Sequence, residues 1–191
     1  MSLFIAVHPS SPAVEHLADE VERVRRDPAA AGLHWQPPGR WHITMAFLGD
    51  GNEEQEEAAA EVLDLAQERT STVRVRLSGA GAFGRQVLWV GAGGTTPTDD
   101  EAFDALAANL HREVSRRGIR LERRQWRPHL TIARARHADA RPATPLLASY
   151  EGPAWPIDAL SLVRSEGGPS PVHNVVHRVQ LLSRDDPPPG A

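Results

Sequence analysis

The sequence predicts an α+β protein whose sheets are largely antiparallel, with helices covering one face. Three observations carry that reading. Apolar residues alternate strictly with Arg and Ser in "TVRVRLSG" at 72–79, and the run "VLWVGAG" follows a short turn-rich stretch, as in a hairpin. Two segments with helix-capping patterns repeat apolar residues at helical spacing. Along the chain the signals fall in the order strand, helix, strand, helix, strand, strand, helix, strand, strand, strand.

Taken in order, "LFIAV" at 3–7 is a short apolar run that suits a buried strand. Ser11 offers an N-cap with Pro12 at the first helical position, and Val14, Leu17, Val21 and Val24 form one helix face. Residues 27–40 read as a loop, because Pro37, Pro38 and Gly39 punctuate the approach to the strand "WHITMAFLG" at 41–49. Asn52 and Gln55 make a capping box for a second helix over 53–69, with Ala59, Val62, Leu63 and Ala66 on its apolar face. Beyond the hairpin, Thr98 and Glu101 repeat that box, and Phe103, Leu106, Leu110 and Val114 face the core of a helix ending before Gly118. "HLTIARA", "IDALSLV" and "NVVHRVQLL" are the remaining strands. Residues 1–184 then form one domain and 185–191, "DDPPPGA", a disordered tail.

Composition narrows the chemistry. The 191 residues are 40% apolar and 24% charged, enough for a sizeable core. No cysteine is present, which excludes disulfides, thiolate nucleophiles and cysteine-held metals. "MSLFIAV" has too short an apolar run for a signal peptide or a membrane span, so the expectation is a cytoplasmic protein without membrane contact. A net charge of −4 argues against general nucleic-acid binding. The cations are nonetheless clustered: Arg116, Arg117, Arg120, Arg123, Arg124, Arg127, Arg134 and Arg136 fall in one stretch. All 21 basic residues are Arg, a pattern of GC-rich coding as much as of chemistry.

"WHITMAFLG" poses the functional question. With a period of two, His42 and Thr44 project from one face while Trp41, Ile43 and Met45 project from the other. A single H-x-T is most simply the solvated face of a sheet. The pattern returns, however, as "HLTI" at 129–132, 87 residues on. With nine His in the chain, chance supplies about 0.06 such tetrapeptides. Each copy follows a helix and a Pro-containing loop, as two related halves would, and across a cleft the two would bring together two imidazoles and two hydroxyls. Imidazole titrates near neutrality, so one ring can take a proton from a nucleophile while the other gives one to a leaving oxygen. In-line displacement at phosphorus needs those groups on opposite sides, and threonine hydroxyls can donate to the non-bridging oxygens. A strained cyclic phosphodiester suits such a site, and no metal is needed.

The paired motifs, the N-terminal "LFIAV", the "FLGD" after the first motif and "PHLTIAR" around the second resemble the two-histidine (2H) phosphoesterases, and within them the bacterial RNA 2′,3′-cyclic phosphodiesterases, also called 2′-5′ RNA ligases. The likeness runs from about residue 2 to residue 182. It implies a single phosphoesterase domain of two pseudo-two-fold-related lobes, sheets lining a central cleft and helices outside. It also implies metal-free, cofactor-free opening of a 2′,3′-cyclic phosphate at an RNA end to a 2′-phosphate, with 2′-5′ ligation as the reverse, by a monomeric protein. By carry-over His42 is the proton donor, His129 the proton acceptor, and Thr44 and Thr131 bind phosphate. Arg134 matches a position usually basic in this group. By strand parity alone it points away from the cleft, an odd number of residues from Thr131. His173 stands where similar proteins commonly have a tyrosine, and is a further substrate-binding candidate.

Other readings carry less. His173 and His177 are an even number apart and could share a strand face with a metal, but no established ligand spacing accompanies them. His8, His16, His34, His111 and His137 read as surface residues. Trp35, Trp41, Trp89, Trp126 and Trp155 read as core or cleft wall, with room for one to stack a base. The rival substrate is a small cyclic nucleotide or another cyclic phosphate. The rival class is an RNA-end-binding module that does not turn its ligand over.

Overall fold

Local capping and pairing chemistry decide where the elements lie in the computed structural model, which describes residues 1–121, 125–167 and 171–182. The expected tail, 185–191, lies outside these residues, as do Arg123 and Arg124. Strand β1 spans Ser2–Val7 and helix α1 Ser11–Arg25. The cap of α1 is Ser10 and not Ser11, because the Ser10 hydroxyl accepts from the Ala13 amide and Pro12 occupies the first turn. The expected loop that follows contains a short strand, β2 (Leu33–Trp35), between two 3-10 turns. Strand β3 is Ile43–Asp50, and helix α2, Glu53–Arg69, carries the predicted reciprocal Asn52–Gln55 capping box.

The hairpin strands are β4 (Val73–Phe83) and β5 (Val87–Gly94). β4 runs through the glycine-rich stretch read as turn, because a register shift between Ser78 and Ala80 absorbs Gly79 in its left-handed conformation. Helix α3 is Pro97–Arg116, starting earlier than expected: Thr96 is the cap, its hydroxyl accepting from the Asp99 amide and donating to the Asp99 carboxylate. Strand β6 is His129–Ala135, β7 Trp155–Ile157, β8 Ala159–Glu166 and β9 Val172–Gln180. The single strand expected at "IDALSLV" is thus divided, with Ile157 closing β7.

Among the described residues nine strands form one antiparallel sheet in the order β7-β4-β5-β6-β3-β1-β8-β9, with β2 added on β6. The order reads as two four-strand halves, β9-β8-β1-β3 and β7-β4-β5-β6, placed tail to tail. They join where Ile43 pairs with Leu130, the corresponding residues of the two motifs. A pseudo-two-fold axis therefore passes between the motif strands, and the two lobes share a continuous sheet. Behind it Leu17, Val21, Val62, Leu63, Phe103, Leu106 and Leu110 from the three helices pack on the strands in one core. Arg164 on β8 clamps Glu56 on α2 with two bonds of 2.6 and 2.8 Å.

Candidate active site

The alternation of "WHITM" places its residues as predicted: Trp41, Ile43 and Met45 are buried, while His42 and Thr44 reach the open face. "HLTI" does the same, with Leu130 and Ile132 buried. Because Ile43 pairs with Leu130, that register sets Thr131 across from His42 and Thr44 across from His129. Two imidazoles and two hydroxyls thus surround one point on the pseudo-two-fold axis. They line a cavity of about 820 Å³ that also includes Arg134 and His173. All six predicted site residues are therefore brought together.

Arg134 reaches the cavity against strand parity, and the reason is a bulge. Trp89 pairs with Thr131 but Leu88 pairs with Ala133, so Ile132 is an extra residue and the alternation resets. The first motif strand has the same bulge at Met45, since Ala6 pairs with Thr44 and Ile5 with Ala46. Each bulge falls one residue after the motif threonine. By this correspondence Phe47 holds the place in one half that Arg134 holds in the other.

Each motif histidine is oriented by the residue two positions before it. His42 Nδ1 lies 2.8 Å from the Arg40 carbonyl, and His129 Nδ1 lies 2.7 Å from the Arg127 carbonyl. A carbonyl only accepts, so Nδ1 carries a proton in both rings and Nε2 is left for a ligand. His42 stacks on Phe4 at 4.9 Å between centroids, and His173 meets it edge-on at 5.4 Å. Burial pushes the His42 pKa down to about 4; the bond to Arg40 opposes this, and the nearby His173, His8 and His129 add to it. His129 is lowered as well, first by burial and then by the Arg127 and Arg134 charges, against its bond to Arg127. Phe83 stands edge-on to it at 4.7 Å. Burial thus favours the neutral form of both rings.

Of the histidines read as surface residues, His8, His16, His34 and His137 are exposed as expected, and His111 needs correction. His111 lies on α3 with its Nε2 2.7 Å from the Met45 carbonyl, the bulged residue of β3. Trp126 Nε1 donates to the Thr44 carbonyl at 3.0 Å, and its ring packs edge-on against buried Phe103 at 5.2 Å. Together these two side chains hold the segment that aims Thr44. His34 lines the cavity from β2, and the His8 ring lies 6.4 Å from that of His42. The only local sign of the histidine-orienting contacts is the arginine preceding each motif in "RWHIT" and "RPHLT". His173 and His177 do not share a face: a register shift in β9 at Val176 separates them, and His177 pairs with Asp64 at 2.7 Å. Among the described residues no cluster of three or more His, Asp or Glu has the geometry of a metal site.

Trp126→Phe keeps the ring but deletes the donor to Thr44. The expected result is roughly a tenfold fall in kcat with a stability loss of about 1 kcal/mol, read from steady-state kinetics beside a denaturant titration.

A family model described as "2′-5′ RNA ligase superfamily" matches residues 12–169. The chain belongs to that superfamily. A member from Thermus thermophilus, named RNA 2′,3′-cyclic phosphodiesterase, is 28% identical over 191 residues, covering 95% of this chain and 90% of its own. Another of that name, from Aeropyrum pernix, is 35% identical over 108 residues, covering 54% of this chain and 57% of its own. Among solved structures, the crystal structure of TT0787 from Thermus thermophilus superposes with a TM-score of 0.76 at 26% identity, covering 96% of this chain and all 100% of that one. E. coli LigT shares the fold, with a TM-score of 0.72 at 22% identity over 95% of this chain and 98% of LigT.

Proposed function

We propose that this superfamily member hydrolyses 2′,3′-cyclic phosphates at RNA ends to 2′-phosphates without a metal or cofactor, His42 acting as acid and His129 as base. The observation that carries the reading is the disposition of the two motifs about the Ile43–Leu130 pair, each with Nδ1 tied to backbone and Nε2 free for a ligand. The names of the relatives support the substrate class.

In this mechanism the cyclic phosphate lies between the threonines, whose hydroxyls donate to its non-bridging oxygens. His129 Nε2 takes a proton from water as the new P–O bond forms. The bond to the 3′ oxygen breaks, and His42 Nε2–H protonates that oxygen, leaving a 2′-phosphate and a 3′-hydroxyl. Burial disfavours the His42 imidazolium, and the diester anion supplies the charge that stabilises it. Arg134 and His173 grip the substrate from either side, and residues 1–184 work as one domain. The absence, among the described residues, of a helix long and apolar enough to cross a membrane is compatible with action in the cytoplasm.

A pH dependence follows. kcat/KM reports the free enzyme, in which burial lowers both imidazoles from their ordinary value of 6.5. The acid form of His42 is lost as pH rises through its lowered pKa, so kcat/KM should be maximal below pH 6.5. The basic limb of kcat should lie at higher pH, because the bound anion restores the imidazolium. Coincident limbs would count against this electrostatic account.

The test of the substrate class compares kcat/KM for an oligonucleotide ending in a 2′,3′-cyclic phosphate with that for the matching cyclic mononucleotide. Preference for the oligonucleotide supports an RNA end, whereas equal or better use of the mononucleotide assigns the site to small cyclic nucleotides.

A further inference from the structure

The cleft is larger than a phosphate needs. It measures about 820 Å³, three arginines and four histidines line it, and no carboxylate does. Those groups and the motif threonines suit an anion, and they leave two neutral carboxamides in the wall, Gln36 and Gln86. Gln86 is exposed in the turn between β4 and β5, in the lobe that carries His129. Gln36 is half-buried, in the segment that leads from β2 to His42. Its backbone is held on both sides: its amide donates to the Ile132 carbonyl at 2.8 Å, and its carbonyl accepts from Trp41 Nε1 at 3.1 Å. By strand alternation its side chain shares the open face with His34, which pairs with Arg134. The carboxamide itself has no hydrogen-bond partner among the described residues. A polar group on a fixed backbone, facing the cleft without a protein partner, is available to a ligand.

We propose that Gln36 reads the base of the terminal nucleotide, and reads any of the four. The inference rests on the hydrolysis proposed above. The leaving 3′ oxygen stays on the ribose that carries the phosphate, so in-line geometry puts the terminal nucleoside on the His42 side of phosphorus. Gln36 is tied to Trp41, the neighbour of His42. The Watson–Crick edge of every base sets a donor beside an acceptor: amino group and ring nitrogen in adenine and cytosine, ring N–H and carbonyl in guanine and uracil. A carboxamide matches the first pair in one orientation and the second after a half-turn. No described residue holds the Gln36 amide in either orientation, so the site requires a base while tolerating sequence.

The test compares kcat/KM for RNA ends carrying uridine or N3-methyluridine 2′,3′-cyclic phosphate, because the methyl group removes the ring N–H and keeps the stacking face. The parent should prefer uridine by about tenfold, the worth of one or two neutral hydrogen bonds, and Gln36→Ala should bring the ratio to about one. Adenosine, cytidine and guanosine ends should fall within about threefold of uridine in the parent, as a freely turning amide implies. Gln36→Glu should favour the guanosine end by at least about fivefold over the others, because a carboxylate only accepts and guanine alone sets two donors side by side on that edge. Indifference of the parent to the methyl group, a uridine preference that survives Gln36→Ala, one base far ahead of the rest in the parent, or Gln36→Glu without guanosine preference overturns the assignment and leaves hydrolysis standing. If the parent turns over neither end, the same pair is compared by binding. Uridine preferred in the parent but not in Gln36→Ala then keeps the base site and rejects the reaction, and no preference rejects both.

Discussion

Replacing either motif histidine by alanine is expected to lower kcat by about 10² to 10⁴ while leaving substrate affinity within a modest factor. Both changes remove a proton-transfer group, but different ones, and the substrate can tell them apart. A cyclic substrate with sulfur in place of the 3′ oxygen expels a thiolate, which leaves without being protonated. His42→Ala should therefore lose far less on the thio substrate than on the natural one, whereas His129→Ala should lose the same on both. The reverse pattern would exchange the assigned roles. Equal, additive losses in affinity with no change in turnover would instead describe a module that binds an RNA end. Stability should not confuse the comparison. Burial of neutral His42 favours the fold above pH 6.5, and that contribution fades as pH falls toward its lowered pKa of about 4. Truncation at pH 7 leaves no buried charge without its partner.

The hydroxyls provide the second large effect. Thr44→Val and Thr131→Val keep shape and β-propensity but remove the donors aimed at the non-bridging oxygens. Each is expected to lower kcat by about 10 to 10², less than the 10² to 10³ measured for loss of one donor to a developing oxyanion, and the pair together by about 10² to 10³. Because both act on the same phosphate from opposite sides of the pseudo-two-fold axis, their effects should combine less than multiplicatively. Serine at either position should restore most of the loss. A loss confined to KM would show that the hydroxyls bind the ground state only.

How much of this was legible in the sequence depended on how local each signal is. Helix α2 has the predicted bounds because Asn52 and Gln55 satisfy each other's backbone within one turn. Helix α3 starts early because Pro97 takes the first helical position, which makes Thr96 the cap in a stretch where several threonines compete. The motif faces followed from parity, yet parity misplaced Arg134, since a bulge is specified by the neighbouring strand and leaves no local mark. β2 is three residues long and exists by pairing with β6, about a hundred residues away, so its alternation is too short to read. His111 looked like a surface helix residue because its partner is a backbone carbonyl 66 residues distant. The two histidines were visible early because the chain contains the motif twice.

The most direct measurement treats an RNA oligonucleotide ending in a 2′,3′-cyclic phosphate with the purified protein and its His42→Ala and His129→Ala variants, all in EDTA, and identifies the terminal phosphate. Complete conversion to a 2′-phosphate by the parent, with both folded variants slower by at least about a hundredfold, is the predicted result. A 3′-phosphate product, turnover abolished by EDTA, or variants as fast as the parent would contradict it.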